Sequence, residues 1–350
     1  MKKPFLNARI FMGSMTNLAN RPFRRWVTGF GAEATIGEMA IASYVVKGGS
    51  QDAALLRRDA HEKIFGAQIV GANPNHLAKA ARLAERYGAD FVDFNCACPH
   101  QSVISHGGGA MLLTRPDKIV TQLDAIRQAV SIPVTIKIRK GYEADDDVAQ
   151  AVVDVAQRVG FDAVFIHGRT KAAQYRGPCD WECIESVARN SDIPVIGCGD
   201  LAHGNDVMCR EETSACAGFA LARGALAKPW VFREIAERQP LDPSSQQRLE
   251  WFKTLVTYTL DAFGRDRRGL DKSQKFLLNQ LEFMCRYVPP AVLGRELPTQ
   301  ERVELWTPRD DLEALWAQSS RDAHKTLLGL AGFPEEPVAD PRQDDEAGQP

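Results

Sequence analysis

The sequence has no long apolar run, and this absence argues against a membrane-spanning helix. Its uninterrupted apolar stretches reach only the length of a β-strand, whereas a transmembrane helix needs about 20 apolar residues. The N-terminus also lacks the continuous apolar core of a signal peptide. The 350 residues, 44% hydrophobic and 25% charged, are ordinary for a soluble protein with one large and one smaller domain. We therefore expect a cytoplasmic protein without membrane contact.

Cys96 and Cys98 lack the spacing of a structural zinc site. Such sites prefer cysteines separated by about two to four residues, whereas a single residue separates these two. A metal site built from both thiols with His100 and His106 is a weak alternative, and we expect no bound metal. In a reducing compartment most of the eight cysteines should be free and buried.

Acidic residues are absent from the first 32 residues, which contain six lysines or arginines. The last twenty residues are biased the other way, with six acids against one arginine. We expect residues 332–350 to form a disordered acidic tail. Without that tail the formal net charge of −2 becomes +3. A modest basic surface is possible, although scattered solvated charge explains the total equally well.

Short apolar runs recur along the first 225 residues and are typical of buried β-strands. They are Ile10–Met12, Ala34–Ile36, Ile64–Val70, Phe91–Asn95, Val134–Arg139, Ala163–His167, Pro194–Gly197 and Gly218–Leu221. Helical patterns such as Asn75–Tyr87 separate most of them. Eight strands that alternate with helices predict an α/β fold, a (β/α)₈ TIM barrel, followed by a smaller all-α domain. A doubly wound sheet is the alternative that the pattern does not exclude.

Polar residues end several of these runs, where a barrel carries its active site. They are Gln68, Asn95, Lys137, Arg139, His167, Gly199 and Asp200. Alternation places Lys137 and Arg139 on the same side of their strand. A buried lysine needs a polar or anionic partner, and a structural ion pair would provide one. The other polar residues favour a shared ligand instead.

Two glycine-bearing loops, Ile196–Asp200 and Leu221–Ala225, follow the last two strands. Barrels often bind phosphate there, and Arg223 would add a charged contact. Two tight turns that need glycine are the plainer interpretation. Gly197–Ala202 matches a dinucleotide fingerprint, but the following strand ends without the required acid. A phosphate-bearing cofactor such as FMN therefore fits better than a dinucleotide.

The sequence resembles the tRNA-dihydrouridine synthases over roughly residues 8 to 330. The matching motifs are Arg21–Arg24, Phe65–Gly71, Asn95–Pro99, Gly107–Ala110, Lys137–Arg139, His167–Thr170, Gln174-Tyr175, Asp180-Trp181, Gly199-Asp200, Ala222–Leu226 and Lys228–Trp230. Their order and spacing together carry the resemblance. Gly37–Ala40, Lys275–Leu278 and Cys285–Pro289 resemble the eukaryotic tRNA-dihydrouridine(47) synthase-like subgroup, whose N-terminal zinc fingers the printed sequence lacks.

The resemblance implies an FMN-binding barrel at residues 1–238 and a helical tRNA-binding domain at 239–331. It implies that NADPH transiently reduces FMN, that hydride passes from N5 to C6 of a tRNA uracil, and that Cys98 donates the proton to C5. A thiol suits this role, because its ordinary pKa of about 8.5 keeps it protonated near neutral pH. We expect a monomer whose partner is tRNA.

The resemblance also assigns the remaining binding residues by position. Those assigned to the cofactor are Gly13, Ser14, Met15, Gln68, Lys137, His167, Cys198, Gly199, Asp200, Ala222 and Arg223. Those assigned to the substrate are Asn95, Arg139, Arg267, Arg268 and Lys272. Two of the departures from the family pattern fall among the residues assigned to the cofactor, where Gly13–Met15 replaces Ala-Pro-Met and Cys198 replaces an asparagine. Neither change removes a group that the chemistry needs.

Three alternatives and one local hypothesis remain from the residues alone. An FMN barrel could reduce a free pyrimidine or another small metabolite, and a non-catalytic RNA-binding protein could keep the fold. The basic turn Gly264–Gly269 could be solvated without contacting RNA.

Pro99 ends the strand before it, so we expect Cys96 to pack into the barrel and Cys98 to face the substrate.

Overall fold

Parallel strands close into a barrel in the computed structural model, which describes residues 7–289 and 306–337. Within these residues the strands are β1 (Ile10–Met12), β2 (Ala34–Ile36), β3 (Ala40–Ile41), β4 (Ile64–Val70), β5 (Phe91–Cys96), β6 (Val134–Arg139), β7 (Ala163–His167), β8 (Val195–Cys198) and β9 (Gly218–Leu221). They follow the order β2-β1-β9-β8-β7-β6-β5-β4-β3, and β2 also pairs with β4. That pairing closes a ring of eight strands and leaves the short β3 outside it. The predicted (β/α)₈ barrel is confirmed, and a doubly wound open sheet is excluded.

Helices follow most strands and cover the barrel. The α-helices in the described residues are α1 (Arg21–Thr28), α2 (Ala42–Val46), α3 (Ser50–Leu55), α4 (Pro74–Arg86), α5 (Gln101–Ile104), α6 (Val120–Arg127), α7 (Ala149–Val159), α8 (Trp181–Arg189), α9 (Gly204–Glu211), α10 (Arg223–Ala227), α11 (Val231–Glu237), α12 (Ser245–Phe263), α13 (Arg267–Met284), α14 (Asp311–Ala317) and α15 (Arg321–Leu330). Helix α4 begins where Asn73 accepts a hydrogen bond from the backbone N–H of His76. None of these helices is long and apolar enough to cross a membrane.

The barrel interior is filled at its amino-terminal end by aromatic and aliphatic side chains. One buried cluster contains Ala8, Ala34, Phe91 and Ala163, which lie at or just before the starts of their strands, together with the rings of Phe11 and Phe165. The rings of Phe11 and Phe165 meet edge to face, with their centroids 5.2 Å apart. Because this end is filled with apolar groups, a ligand can enter the barrel only at the carboxyl ends of the strands.

The helices after residue 238 pack directly on the barrel. The indole N–H of Trp26 in α1 donates to the backbone oxygen of Trp251 in α12, at 2.9 Å. The side-chain amide of Gln280 in α13 donates to the backbone oxygen of Leu226 in α10, at 2.7 Å. Both contacts attach the helical region to helices of the barrel, while the boundary at residue 238 stays a prediction.

Replacing Gly66 in β4 by alanine should destabilise the barrel. An added Cβ would lie 2.2 Å from the ring of Phe91, which is fully buried. Overpacking of this kind costs about 1–3 kcal/mol, so Gly66→Ala should lower the thermal midpoint of unfolding by several degrees. Gly329→Ala is the control, because nothing lies within 4 Å of its added Cβ and alanine favours a helix. An equal midpoint in both variants would contradict this packing.

Candidate functional site

A cavity of about 770 Å³ opens at the carboxyl ends of the barrel strands. Its volume falls within the range of small-molecule and cofactor sites, which is roughly 300–1,000 Å³. Every residue that the sequence assigns to a cofactor lines it, as do Asn95, Cys98 and Arg139. Arg267, Arg268 and Lys272 do not line it. The closed barrel therefore brings together residues that lie more than 200 positions apart in the chain.

The two thiols of the segment Asn95–Pro99 have different surroundings. Cys96 is the last residue of β5, has no exposed surface and packs in the main hydrophobic core. Cys98 lies beyond the strand, is half-buried and lines the cavity. The predicted burial of Cys96 is confirmed, although it packs with Val92 and Phe94 in the core that includes the helices and not with the residues of the barrel interior. Contact of Cys98 with a substrate stays a prediction, and a metal site that uses both thiols does not fit. Among the described residues, no three His, Cys, Asp or Glu side chains could hold a metal ion.

The turn that carries Cys98 depends on a close approach of two backbone segments. The backbone N–H of Ala110 donates to the backbone oxygen of Cys98 at 3.0 Å. Gly109 has a φ of +59°, and a Cβ there would lie 2.8 Å from the same oxygen. Glycine is therefore required at position 109, which explains why the glycine motif Gly107–Ala110 accompanies the cysteine segment.

Burial raises the pKa of the Cys98 thiol above its ordinary value. The side chain packs against an apolar cluster that contains Met39, Val70 and Val103. The backbone N–H of His100 and the charge of Arg139 act in the opposite direction, since both favour the thiolate. Because burial is the larger effect, the thiol is protonated at neutral pH and can donate a proton.

The cavity wall has more positive than negative groups. Lys137 donates to the sulfur of Cys198 at 3.2 Å, and no carboxylate forms an ion pair with it among the described residues. Burial, with the charges of Arg139, Lys137 and other nearby arginines, holds the pKa of His167 well below its usual range. His167 is therefore neutral, and Lys137 provides a positive charge that an anionic ligand could balance.

Arg139 supports the loops around the cavity. Its Nε–H donates to the backbone oxygen of Ala97 at 2.8 Å, and its Nη1 donates to those of Thr170 and Gln174 at 3.0 and 2.9 Å. Its side chain is 2% exposed. Most of its donors therefore tie the cysteine turn to the loop after β7, and contact with a substrate stays a prediction.

The carboxylate of Asp200 is already engaged within the protein. It pairs with Arg169 at 2.7 Å and accepts a hydrogen bond from the backbone N–H of Cys179 at 2.8 Å. Gly199 beside it has a φ of +124°, and a Cβ there would lie 2.5 Å from the sulfur of Cys179. A Cβ on Gly224 would meet the backbone oxygen of Leu201 at 2.4 Å. The two glycine loops therefore pack closely against neighbouring segments, and they can contact a ligand through their backbone groups.

The basic turn between α12 and α13 lies apart from the cavity. Arg267, Arg268 and Lys272 are exposed. The Arg267 side chain is 82% exposed and lies 3.7 Å from the carboxylate of Asp271. Lys272 lies over the ring of Phe263. An exposed pair of this kind contributes little to stability, so these cations are available to a partner.

The site also contains residues that were not assigned from the sequence, and three of them make informative contacts. Arg169 is 2% exposed and pairs with Asp200. Tyr175 is 48% exposed and lies under the guanidinium of Arg223, 4.5 Å from its ring centre. Phe283 comes from α13 and closes one side of the cavity. The family motifs His167–Thr170 and Gln174-Tyr175 contain Arg169 and Tyr175 and could have indicated them. The place of Phe283 depends instead on how α13 packs on the barrel.

Comparisons with known proteins agree on one family. A family model described as dihydrouridine synthase matches residues 12–284. A tRNA-dihydrouridine(47) synthase-like protein of Rattus norvegicus is 37% identical over 320 residues, which cover 90% of this chain and 50% of that protein. Its Homo sapiens counterpart is 37% identical, with 90% and 49% covered, and the names of both include NAD(P)(+). The chain thus spans about half the length of these relatives.

Solved structures agree on the fold. Histamine dehydrogenase from Rhizobium sp. 4-9 superposes with a TM-score of 0.52 at 14% identity, covering 71% of this chain and 49% of that chain. The 6-hydroxypseudooxynicotine amine oxidase from Pseudomonas geniculata N1 gives 0.53 at 14% identity, with 66% and 47% covered. At this identity the likeness concerns the barrel alone.

The thiols should differ in their reactivity towards iodoacetamide. Cys209 is exposed and Cys98 half-buried, so Cys209 should be labelled first, Cys98 more slowly and Cys96 only after unfolding. Because the pKa of Cys98 is raised, its labelling rate should still increase above about pH 9.5, where the rate for a free thiol with a pKa of about 8.5 has levelled off. Mass spectrometry of digests, with N-acetylcysteine as the reference, measures these rates. Labelling of Cys96 in the folded protein would contradict the orientation of the two thiols.

Proposed function

The chain belongs to the dihydrouridine synthase family, and on that premise we propose that it reduces the C5–C6 double bond of specific uridines in tRNA. We propose FMN as its cofactor, NADPH as the transient reductant and a monomer as the active form. The half-buried Cys98 thiol beside a basic cavity carries this proposal, because it places a protonated acid next to a site for an anionic cofactor. A flavin barrel that acts on a free pyrimidine is the competing function.

The residues of the cavity fit FMN. Its phosphate suits the backbone of the loops at Gly199 and Ala222, with Arg223 adding positive charge. Lys137 lines the cavity and donates to the sulfur of Cys198, and so can meet the polar edge of an isoalloxazine ring. Gln68 and His167 line the same wall, and the backbone of Gly13–Met15 completes it. When bound, FMN supplies the hydride that adds to C6 of the uracil.

Cys98 would complete the reduction by donating its proton to C5 of the uracil. Hydride at C6 and the thiol proton at C5 together saturate the double bond, and a thiolate remains. The backbone N–H of His100 and the charge of Arg139 stabilise that thiolate, which then regains a proton from water. The apolar contacts of Cys98 keep the thiol protonated before the transfer.

Asn95 has one side-chain donor left for a substrate. Its Oδ1 accepts hydrogen bonds from the backbone N–H groups of Ala97 and Cys98, at 2.9 and 2.8 Å. One Nδ2 hydrogen goes to Gln68 at 2.8 Å. The remaining N–H can only donate, which suits a carbonyl oxygen of uracil and does not suit the amino group of cytosine.

Exposed cations of the helical region would hold the tRNA while its uridine is unstacked. Removing a base from a folded stack costs a few kcal/mol, and contacts with phosphates can offset that cost. Arg267, Arg268 and Lys272 are exposed on the turn and helix that follow α12. Phe283 of the same helix reaches the cavity, so α13 connects this basic surface with the site of chemistry.

Purified protein tests the reaction and the role of Cys98 together. With NADPH and unmodified tRNA, dihydrouridine should form, whereas free uracil and orotate should not turn over. Cys98→Ala should lower the rate by about 10²-fold or more, as expected when a general acid is lost, while flavin stays bound. Cys96→Ala is the matched control and should reduce tRNA at close to the normal rate, because Cys96 lies in the core. Turnover of free pyrimidines alone would favour the competing function, and an inactive Cys96→Ala beside an active Cys98→Ala would reverse the assignment.

Charge reversal at Arg267 and Arg268 should weaken tRNA binding without releasing flavin. Loss of two phosphate contacts should raise the dissociation constant by about tenfold at moderate salt and flatten its salt dependence. Lys79→Glu with Arg82→Glu is the control, because both residues are exposed on α4 of the barrel. Equal affinity of both double variants across salt concentrations would remove this turn from the binding surface.

A further inference from the structure

An unbroken series of hydrogen bonds connects the barrel interior with the turn that carries Cys98. Thr135 donates to Oδ1 of Asp93 at 2.6 Å, and Nε2 of Gln68 donates to Oδ2 of the same carboxylate at 2.7 Å. Nδ2 of Asn95 donates to Oε1 of Gln68 at 2.8 Å. Oδ1 of Asn95 then accepts the backbone N–H groups of Ala97 and Cys98. The proposed function uses the end of this series and leaves Asp93 without a role.

The strand register explains why these side chains meet. Gln68 lies beside Asp93 across β4 and β5, and Asp93 lies beside Thr135 across β5 and β6. Asp93 and Asn95 are two residues apart on β5, so both point to the same side. Gln68, Asp93 and Thr135 have no exposed surface, and Asn95 is 7% exposed. Water therefore does not compete for these hydrogen bonds.

The backbone N–H groups at one end of the series fix its direction of donation. A backbone N–H can only donate, so Oδ1 of Asn95 must face Ala97 and Cys98, and Nδ2 must face Gln68. Gln68 then accepts with Oε1 and turns Nε2 towards Asp93, whose Oδ2 accepts from it. Burial raises the pKa of this carboxyl, while the hydrogen bonds from Thr135 and Gln68 and the charge of Lys137 act in the opposite direction. If either amide turned over, two donors or two acceptors would face each other in the barrel interior, at a cost of about 1–3 kcal/mol each.

We propose that Asp93 is a positioning residue, which fixes the orientation of the Gln68 and Asn95 amides and thereby holds the turn that presents Cys98. The inference rests on the proposed function only in taking Cys98 as the proton donor. It explains why the barrel retains a fully buried carboxylate, since burying one is costly unless its hydrogen bonds are complete. It also explains why Asn95 has an N–H, and no oxygen, left for a substrate.

The direction of donation through Gln68 can be reversed by substituting its two hydrogen-bond partners, Asn95 and Asp93. In Asn95→Asp, an oxygen faces Oε1 of Gln68, and turning Gln68 over only moves the conflict to Asp93. In the double variant with Asp93→Asn, Gln68 can turn over, accept from Asn at 93 and donate to Asp at 95. Every hydrogen bond is then restored, including those to the backbone N–H groups of Ala97 and Cys98.

Asn95→Asp should therefore loosen the cysteine turn, and adding Asp93→Asn should restore it. We expect the single variant to raise the rate of Cys98 alkylation by about fivefold or more and to lower the thermal midpoint. The double variant should return both towards the values of the unchanged protein. Asp93→Asn alone should be mild, because its oxygen can still accept from Gln68 while its amide donates to Thr135. The measurement uses flavin-loaded protein, iodoacetamide and peptide mass spectrometry.

Thr135→Val is the matched control, since it removes a hydrogen bond from Asp93 without changing the direction of donation. Thr135→Val should not rescue Asn95→Asp. If Asn95→Asp does not fold, Gln68→Glu replaces it, because Asp93→Asn should rescue that variant by the same reasoning. Independent effects of the paired substitutions, with alkylation rates that multiply, would overturn the proposal. Alkylation needs no tRNA, so a protein that fails to reduce tRNA would refute the proposed function and leave this test intact.

Discussion

Closure of the parallel sheet is the constraint on which the rest of the structure depends. The pairing of β2 with β4 joins the ends of the strand order and brings all carboxyl ends of the ring to one rim. An open sheet would leave β2 and β4 near separate edges, whereas the ring brings Ile36 at the end of β2 and Gln68 of β4 into the lining of one cavity. Apolar side chains fill the other end of the barrel. The polar ends of the strands must therefore satisfy one another or a ligand at the rim.

The polar groups at the rim find partners in two ways. Most of its charged groups are satisfied internally, as with Arg169 on Asp200 and Arg139 on three backbone oxygens. Lys137 instead donates to the thiol of Cys198, and His167 stays neutral because burial and neighbouring cations lower its pKa. An excess of positive charge thus surrounds a half-buried, protonated thiol. That combination suits a phosphate-bearing cofactor beside a substrate that must receive a proton.

The strands and most of the cavity could be predicted, because both follow from local patterns. A buried parallel strand is apolar along its whole length, so the eight runs marked the barrel strands to within about one residue at either end. A polar residue at the end of such a run has to lie at the rim, and Gln68, Lys137 and His167 do line the cavity. Pro99 likewise predicted that the strand stops before it. Strand β5 ends at Cys96, so Cys98 lies in the turn beyond the strand.

The sequence by itself determined the approximate bounds of the strands, the position of the polar residues along them and the family to which the chain belongs. Only the tertiary structure decided which groups remain free for chemistry. Arg139 was assigned to the substrate, yet three of its N–H groups hold backbone oxygens from two distant loops. Phe283 reaches the cavity because α13 packs against α10. Asp93 gains its role from neighbours on β4 and β6. Each result depends on contacts between residues far apart in the chain, and local patterns of polarity do not specify such partners.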